Sequence, residues 1–294
     1  MEENVRIVYA ADLHGNLNLY RAAGEAAERW SADAVVFGGD LCPGATPFVR
    51  TPQVQADFLL DQVSPMIRVW KRMRHSMRVL AIPGNDDFLT VLTALGVLEQ
   101  EGLVENLHRK AARLGPYIMV GLACVPPTPF SIKDFERRDV STAGRPHLQA
   151  FRGVVAADRG VQEVKDFQQY LDSHPTIEDE LAVLDGQVSG EAERVIVVTH
   201  CPPADTRCDV LYDGRHAGSR AIRQWIERSQ PMLALHGHIH ESPEMSGSFA
   251  DRVGKTITVN PGSDTERPHL VVIDLERLDG MTHSVFGTPA RILR

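Results

Sequence analysis

Five short clusters in the chain carry side chains of the kind that hold metals: Asp12-Leu13-His14, Gly39-Asp40, Gly84-Asn85-Asp86-Asp87, His200, and His236-Gly237-His238-Ile239-His240. Imidazole nitrogen combined with carboxylate and amide oxygen suits divalent metals of intermediate softness, such as manganese, iron, zinc, cobalt or nickel, rather than calcium or copper(I). Each cluster alone has an ordinary explanation. Asp12 or Asp40 could cap a following helix, Asn85 could serve a turn, and His200, close to Pro202-Pro203, could be a hydrogen-bonded loop histidine. What sets them apart is place: every one follows directly on a short apolar or β-branched run, at residues 5–11, 34–37, 77–82, 195–199 and 232–235.

Those runs, with a further one at 117–122, read as buried strands. Between the early ones lie helical patterns at 17–30, 53–74 and 88–100, so strand and helix alternate and the sheet is expected to be parallel, giving an α/β fold. Open α/β sheets bind ligands beyond the carboxyl ends of their strands, which would bring all five clusters to one crevice. Gly38, Gly39, Gly84 and Gly237 beside the clusters let the backbone turn sharply and keep the mouth open. Towards the C-terminus, strand-like runs at 256–259, 270–275 and 281–286 follow one another without helices, and an antiparallel meander is expected there.

In order and in strand context these motifs resemble the calcineurin-like metallophosphoesterase superfamily, whose signature runs D-x-H, G-D, G-N-H-[DE], H and G-H-x-H; here it spans residues 12 to 240. The resemblance implies a four-layer α/β/β/α sandwich of two mixed sheets flanked by helices. It also implies a centre of two divalent cations, manganese foremost. Asp12, His14 and His240 would hold one cation, Asn85, His200 and His238 the other, and Asp40 would bridge both. The chain is further similar to the Icc-related phosphoesterases at Thr128-Pro129-Phe130, His216-Ala217-Gly218-Ser219, His238 to Glu241 and Asn260-Pro261-Gly262-Ser263.

Two cations about 3.5–4 Å apart lower the pKa of a bridging water, orient a phosphoester and stabilise charge during in-line attack, so hydrolysis is the natural reaction. Asp40, Asn85 and Asp86 are the expected catalytic residues; Cys201, beside His200, is expected to be a spectator. The departure from the superfamily pattern is Asp86, where a histidine usually stabilises the phosphate or protonates the leaving group. A carboxylate beside two cations is ionised and a poor acid. Either His236 or His216 donates the proton, or the substrate's leaving group needs none; we favour the second, which tilts the expectation towards a phosphodiesterase. The alternatives are a phosphomonoesterase of the same fold, a one-metal enzyme built on the His238 and His240 pair, and a metal-binding scaffold with little catalysis.

With 294 residues, 43% hydrophobic and 24% charged, the chain reads as one globular domain with a variable insertion at about 123–193. In that insertion a proline-rich loop, 126–130, should shape the substrate pocket, with Phe130 able to stack a base. Lys133 to Arg138 reads as helical, and 155–184 as a surface helix bearing Val161, Val164, Phe167 and Leu171. Thirty-one basic against 39 acidic residues, a net charge of -8, argue against duplex nucleic acid as partner and leave a small phosphorylated substrate. The four cysteines form no CxxC pair, nothing before the first strand-like run has the basic end and long apolar core of a signal peptide, and no apolar stretch approaches the length of a membrane span, so a cytoplasmic protein with reduced thiols is expected.

Overall fold

The computed structural model describes residues 4–44, 51–142, 153–188, 192–264 and 266–288. The first half alternates as the apolar runs suggest: β1 (Arg6–Ala10), α1 (Leu17–Arg29), β2 (Ala34–Gly38), α2 (Pro52–Asp57), α3 (Ser64–Met73), β3 (Arg78–Ile82), α4 (Thr90–Gln100), β4 (Glu105–Asn106), β5 (Ala111–Leu114) and β6 (Tyr117–Leu122). Then come β7 (Gly153–Ala157), β8 (Gly160–Val164), α5 (Phe167–Asp172), α6 (Ile177–Val188), β9 (Val195–Thr199), α7 (Arg220–Ser229), β10 (Leu233–Leu235), α8 (Ser242–Ser246), β11 (Ala250–Val253), β12 (Thr256–Val259), β13 (Val271–Asp274) and β14 (Thr282–His283). Between α2 and α3 one wide π turn, Phe58–Val63, interrupts the expected helix just before Pro65, whose missing N–H cannot continue the ordinary ladder.

Two six-stranded mixed sheets result, ordered β14-β13-β1-β2-β3-β4 and β11-β12-β10-β9-β6-β5. The period-two alternation of each strand decides which layer each side chain enters. From β1, Ile7 and Tyr9 turn inward to meet Met119, Ile196, Val198, Leu233 and Leu235 of the second sheet, forming the core between the sheets. Val8 and Ala10 turn outward and pack with Val35 and Phe37 against Tyr20 of α1, Ile67 of α3 and Leu95 of α4. On the far side, Val120, Val195 and Val197 pack under Leu181 and Leu184 of α6 and Ile222, Trp225 and Ile226 of α7. The fold is therefore the α/β/β/α sandwich that the resemblance implied.

Three local expectations need correction. The C-terminal strands form no single meander: β12 lies in the second sheet, parallel to β10 and antiparallel to β11, whereas β13 crosses to the first sheet, pairs antiparallel with β1 and carries β14. Residues 155–184 are not one helix. They fold as the β7–β8 hairpin, turned at Gly160 with φ of +89°, followed by two short helices. Lys133 to Arg138 is an irregular loop held by bridges of Val125 to Glu136 and Ile132 to Val154. Residues 143–152 and 189–191 of the expected insertion lie outside the described residues. Among the described residues no helix is long and apolar enough to cross a membrane.

Candidate metal centre

The five clusters meet at the carboxyl ends of β1, β2, β3, β9 and β10 because the pairing of these strands continues past their ends. The amides of Asp12 and His14 donate to the carbonyls of Gly39 and Asp40 at 3.0 and 2.7 Å, and those of His200 and Gly237 to Leu122 and His200 at 3.1 and 2.9 Å. Asp12, His14, Asp40 and His238 all have left-handed backbones, with φ of 55°, 43°, 49° and 69°. For residues with a Cβ this conformation costs energy, and such strain collects at functional sites. Two glycines make the approach possible: a Cβ at Gly39 would lie 2.2 Å from His200 Nδ1, and one at Gly84 would lie 2.2 Å from Asp40 Oδ1.

All seven residues expected as ligands are brought together. Asp12, His14, Asp40 and His240 each offer one donor atom, and these atoms all lie within 4.8 Å of one another. His240 Nε2 is 3.5 Å from Asp12 Oδ1, and His14 Nε2 is 3.6 Å from Asp40 Oδ2. His200 Nε2 lies 3.3 Å from the same Asp40 Oδ2 and 3.1 Å from Asn85 Oδ1, and the His200 and His238 rings are 5.3 Å apart. His200 Nδ1 donates to the Gly38 carbonyl at 2.8 Å, which leaves the Nε2 lone pair facing the cluster.

This donor set fits divalent cations. His14 Nε2 and His240 Nε2 stand 3.2 Å apart, where one N–H can bond one lone pair when a single proton is shared. A cation held with Asp12 and Asp40 would take both lone pairs instead. Without one, charge is balanced by protons. Burial lowers the pKa of His14 and His200, but the carboxylates outweigh it: Asp86, Asp40 and Asp12 raise His14 to about 10, and Asp40 and Asp12 raise His200 to about 9. Asp40 is held well below the ordinary carboxylate range, the penalty of burial being overcome by His200, His14 and the Asp86 amide. Half-buried His238 goes the other way, to about 3, through desolvation and the neighbouring His200, so its imidazole is a neutral donor.

Several residues brace the centre. Buried Asp87 accepts from the amides of Leu41, Cys42 and Gly84 at 2.8 to 2.9 Å, tying the exit of β2 to that of β3. Burial and Asp40 push it up to about 7 against the pull of those three donors. Asn260 Nδ2 donates to the Cys208, Gly237 and Ile239 carbonyls, and the Ser263 hydroxyl donates to the Asp12 carbonyl at 3.0 Å. Residues 260–263 thus clamp the loop of His238 and His240. Their likeness to the Icc-related group was the signal, but only the fold shows their carbonyl partners.

Other expectations resolve differently. His236 is fully buried, its Nδ1 against the Thr199 hydroxyl at 2.8 Å, and burial takes it down to about 3. His216 Nδ1 bonds Asp209 at 2.7 Å. Neither lines the cleft beside the cluster. Cys201 is buried, which pushes its thiol well above its ordinary value and keeps it protonated. The amides at the start of α7 are taken: Ser219 accepts from Ile222, and Asp139 accepts from Arg220 and Ala221 at 2.7 and 3.3 Å, leaving no free cradle for a phosphate. Lys133 is fully buried, with Nζ on Glu136 at 2.8 Å and on the Thr128 carbonyl at 2.9 Å.

A cleft of about 350 Å³ opens from the cluster. His14, Asp40, Asn85, Asp86, His238 and His240 form its floor; Pro126 to Phe130, Leu211, Ala217, Ile239 and Glu241 form its walls. Phe130 is 53% exposed, with its ring available to a ligand. No lysine or arginine is among the described residues lining it. A second cleft, about 480 Å³, lies between α1 and α3 and shares no lining residue with the first. Size does not select the site; the metal-ligating floor does.

A family model described as calcineurin-like phosphoesterase matches residues 5–242. Among solved structures the chain is similar to a Thermus thermophilus protein, TT1561, with 16% identity and a TM-score of 0.57, over 97% of this chain and 100% of that one. It is similar also to a dimetal phosphatase from Danio rerio, with 15% identity and a TM-score of 0.56, over 98% of this chain and 97% of that one. At such identities the likeness speaks for the fold alone. No curated protein matches the chain.

Proposed function

The chain belongs to the calcineurin-like phosphoesterase family, and from that premise we propose that it hydrolyses small phosphodiesters with two divalent cations, manganese foremost. The observation that carries the choice of diester is the cleft, whose described lining includes Asp86 and Glu241 but no cationic side chain. Arg and Lys commonly meet phosphate charge, and in this cleft only the cations would do so, which suits one negative charge better than two. A diester carries one charge, and its second arm needs an apolar wall, which Phe130, Leu211, Ile239 and the prolines supply.

In this reading Asp12, His14 and His240 would hold one cation, Asn85, His200 and His238 the other, with Asp40 shared. The cations, when bound, supply the nucleophile at neutral pH and neutralise developing charge on the phosphoryl oxygens. The chain's own residues do the placing. Asp40, anchored by the Asp86 amide at 2.7 Å, fixes the shared carboxylate. His200 is held by Gly38 with its lone pair inward. With His236 and His216 both off the cleft, no described histidine outside the cluster is placed to protonate the leaving oxygen, which favours esters whose alkoxide leaves unaided.

The test is a set of aryl phosphodiesters and monoesters with graded leaving groups, assayed with manganese under conditions where chemistry limits turnover. The expected result is faster diester hydrolysis with rates rising as the leaving-group pKa falls. Faster monoester hydrolysis, or rates independent of leaving-group pKa, would overturn the reading.

A further inference from the structure

His14 has two ring nitrogens with different surroundings. Nε2 faces the cluster, 3.2 Å from His240 Nε2 and 3.6 Å from Asp40 Oδ2. Nδ1 faces outward and lies 3.4 Å from Asp86 Oδ2. A neutral imidazole has one N–H, and whichever nitrogen keeps it cannot ligate. A carboxylate beside Nδ1 favours the proton there and leaves the Nε2 lone pair for a metal; the Asp86 contact is an ion pair at 3.4 Å, looser than the 2.8 Å hydrogen bond by which the Gly38 carbonyl holds His200.

Asp86 is built to hold that position. Its amide donates to Asp40 Oδ1 at 2.7 Å and its carbonyl accepts from Gln55 Nε2 of α2 at 2.8 Å, so the backbone is pinned from both sides. Its carboxylate lies against Gly44, where a Cβ would stand 2.1 Å from Oδ2; a larger residue there would push it off His14. We propose that Asp86 is a positioning residue of the metal centre: it orients His14 through Nδ1 instead of acting on the substrate. The histidine usual at this position would face the Nδ1 hydrogen with a second imidazole in place of an anion. The inference rests on the dinuclear reading above but not on which ester is cleaved.

The test is manganese titration of the metal-stripped full chain, followed by calorimetry and by the free Mn(II) EPR signal, for wild type and for Asp86→Ala, Asp86→Asn and Asp86→His. Removing an outer partner of a ligating histidine typically costs 10–100-fold in metal affinity. Asp86→Ala should therefore weaken one of the two sites, the one that includes His14, by about 10–100-fold. Asp86→Asn, whose amide oxygen still accepts from Nδ1–H, should recover most of the loss, and Asp86→His should bind manganese as poorly as Asp86→Ala. In a His14→Ala background the Asp86→Ala change should cost nothing further, because its route is gone. Unchanged affinity in Asp86→Ala, an undiminished effect without His14, or an Asp86→His variant that binds manganese normally and hydrolyses esters faster would overturn the proposal. If manganese binding shifts as expected while no diester is hydrolysed, the functional reading fails and this one stands.

Discussion

At the scale of single residues, the centre is a set of charges that only the backbone's strain brings together. Four of its members sit at positive φ, and the gaps between them are narrow enough that one methyl group matters. Gly84→Ala places a Cβ 2.2 Å from Asp40 Oδ1 and 2.7 Å from His200 Nε2. Overpacking of this kind costs about 1–3 kcal/mol. Metal content, measured by elemental analysis after dialysis, should fall well below that of wild type while the folded spectrum persists. A variant that keeps its full metal content would mean that Asp40 and His200 tolerate displacement. The ligands themselves were legible in the sequence because each is a chemically distinctive residue at a fixed offset from an apolar run. Their braces were not: apart from the Gly84 amide beside Asp87, the main-chain groups that Asp87, Asn260 and Ser263 hold are distant in the chain, and nothing in their neighbourhood names those partners.

At the scale of elements, the loops leaving β2 and β3 are joined by one carboxylate. Asp87→Asn replaces one acceptor oxygen with an NH2 group facing a backbone N–H, and a buried donor left unpaired costs about 1–3 kcal/mol. Urea unfolding should show an unfolding free energy lower by that amount, seen as a lower midpoint at unchanged slope. An unchanged midpoint would mean that the clamp carries no net stability. The proline-rich wall has its own anchor in the fully buried Lys133 and Glu136 pair, which holds Thr128 through its carbonyl and its hydroxyl. Breaking a buried ion pair leaves one charge uncompensated, at a cost of about 3–5 kcal/mol, whereas replacing both partners by apolar groups is often neutral. Lys133→Met should therefore be far less stable than wild type, and the double variant Lys133→Met with Glu136→Leu should recover much of the loss; additive losses would contradict the pairing. Sequence patterns reached their limit in this region. Val161, Val164, Phe167 and Leu171 match a helical spacing, but Val161 and Val164 belong to a hairpin whose turn at Gly160 outranks the periodicity.

At the scale of the whole molecule, the alternation of apolar residues along β1 already fixes a two-sided burial, and the strand and helix order fixes the first three parallel strands. Which sheet a late strand joins is a non-local choice that no local pattern encodes, so the crossing of β13 to β1 was not legible. One global property follows from buried neutral imidazoles. Burial lowers His108 to about 3 and His283 to about 4; His108 Nδ1 accepts from the Ala123 amide, and His283 Nδ1 from the Val285 amide. Both are neutral when folded and take up protons only on unfolding. The stability they contribute is therefore fully present above about pH 6.5 and is lost as pH falls towards 4 and then 3, by up to about 1.4 kcal/mol per imidazole per pH unit. The manganese-loaded protein should lose stability as pH falls from 7 to 5, roughly the upper part of that window. His108→Gln should flatten the decline, and an equally steep decline in that variant would contradict the assignment.

The most direct measurement is the metal content of the purified chain taken together with its manganese-stimulated hydrolysis of bis-p-nitrophenyl phosphate, for wild type and Asp40→Ala. The predicted result is about two divalent ions per wild-type chain, with turnover and at least one ion lost in the variant, a fall of more than about 100-fold in rate. Diester hydrolysis that survives Asp40→Ala, or a wild-type chain that takes up no divalent metal, would contradict a dinuclear centre built on Asp40.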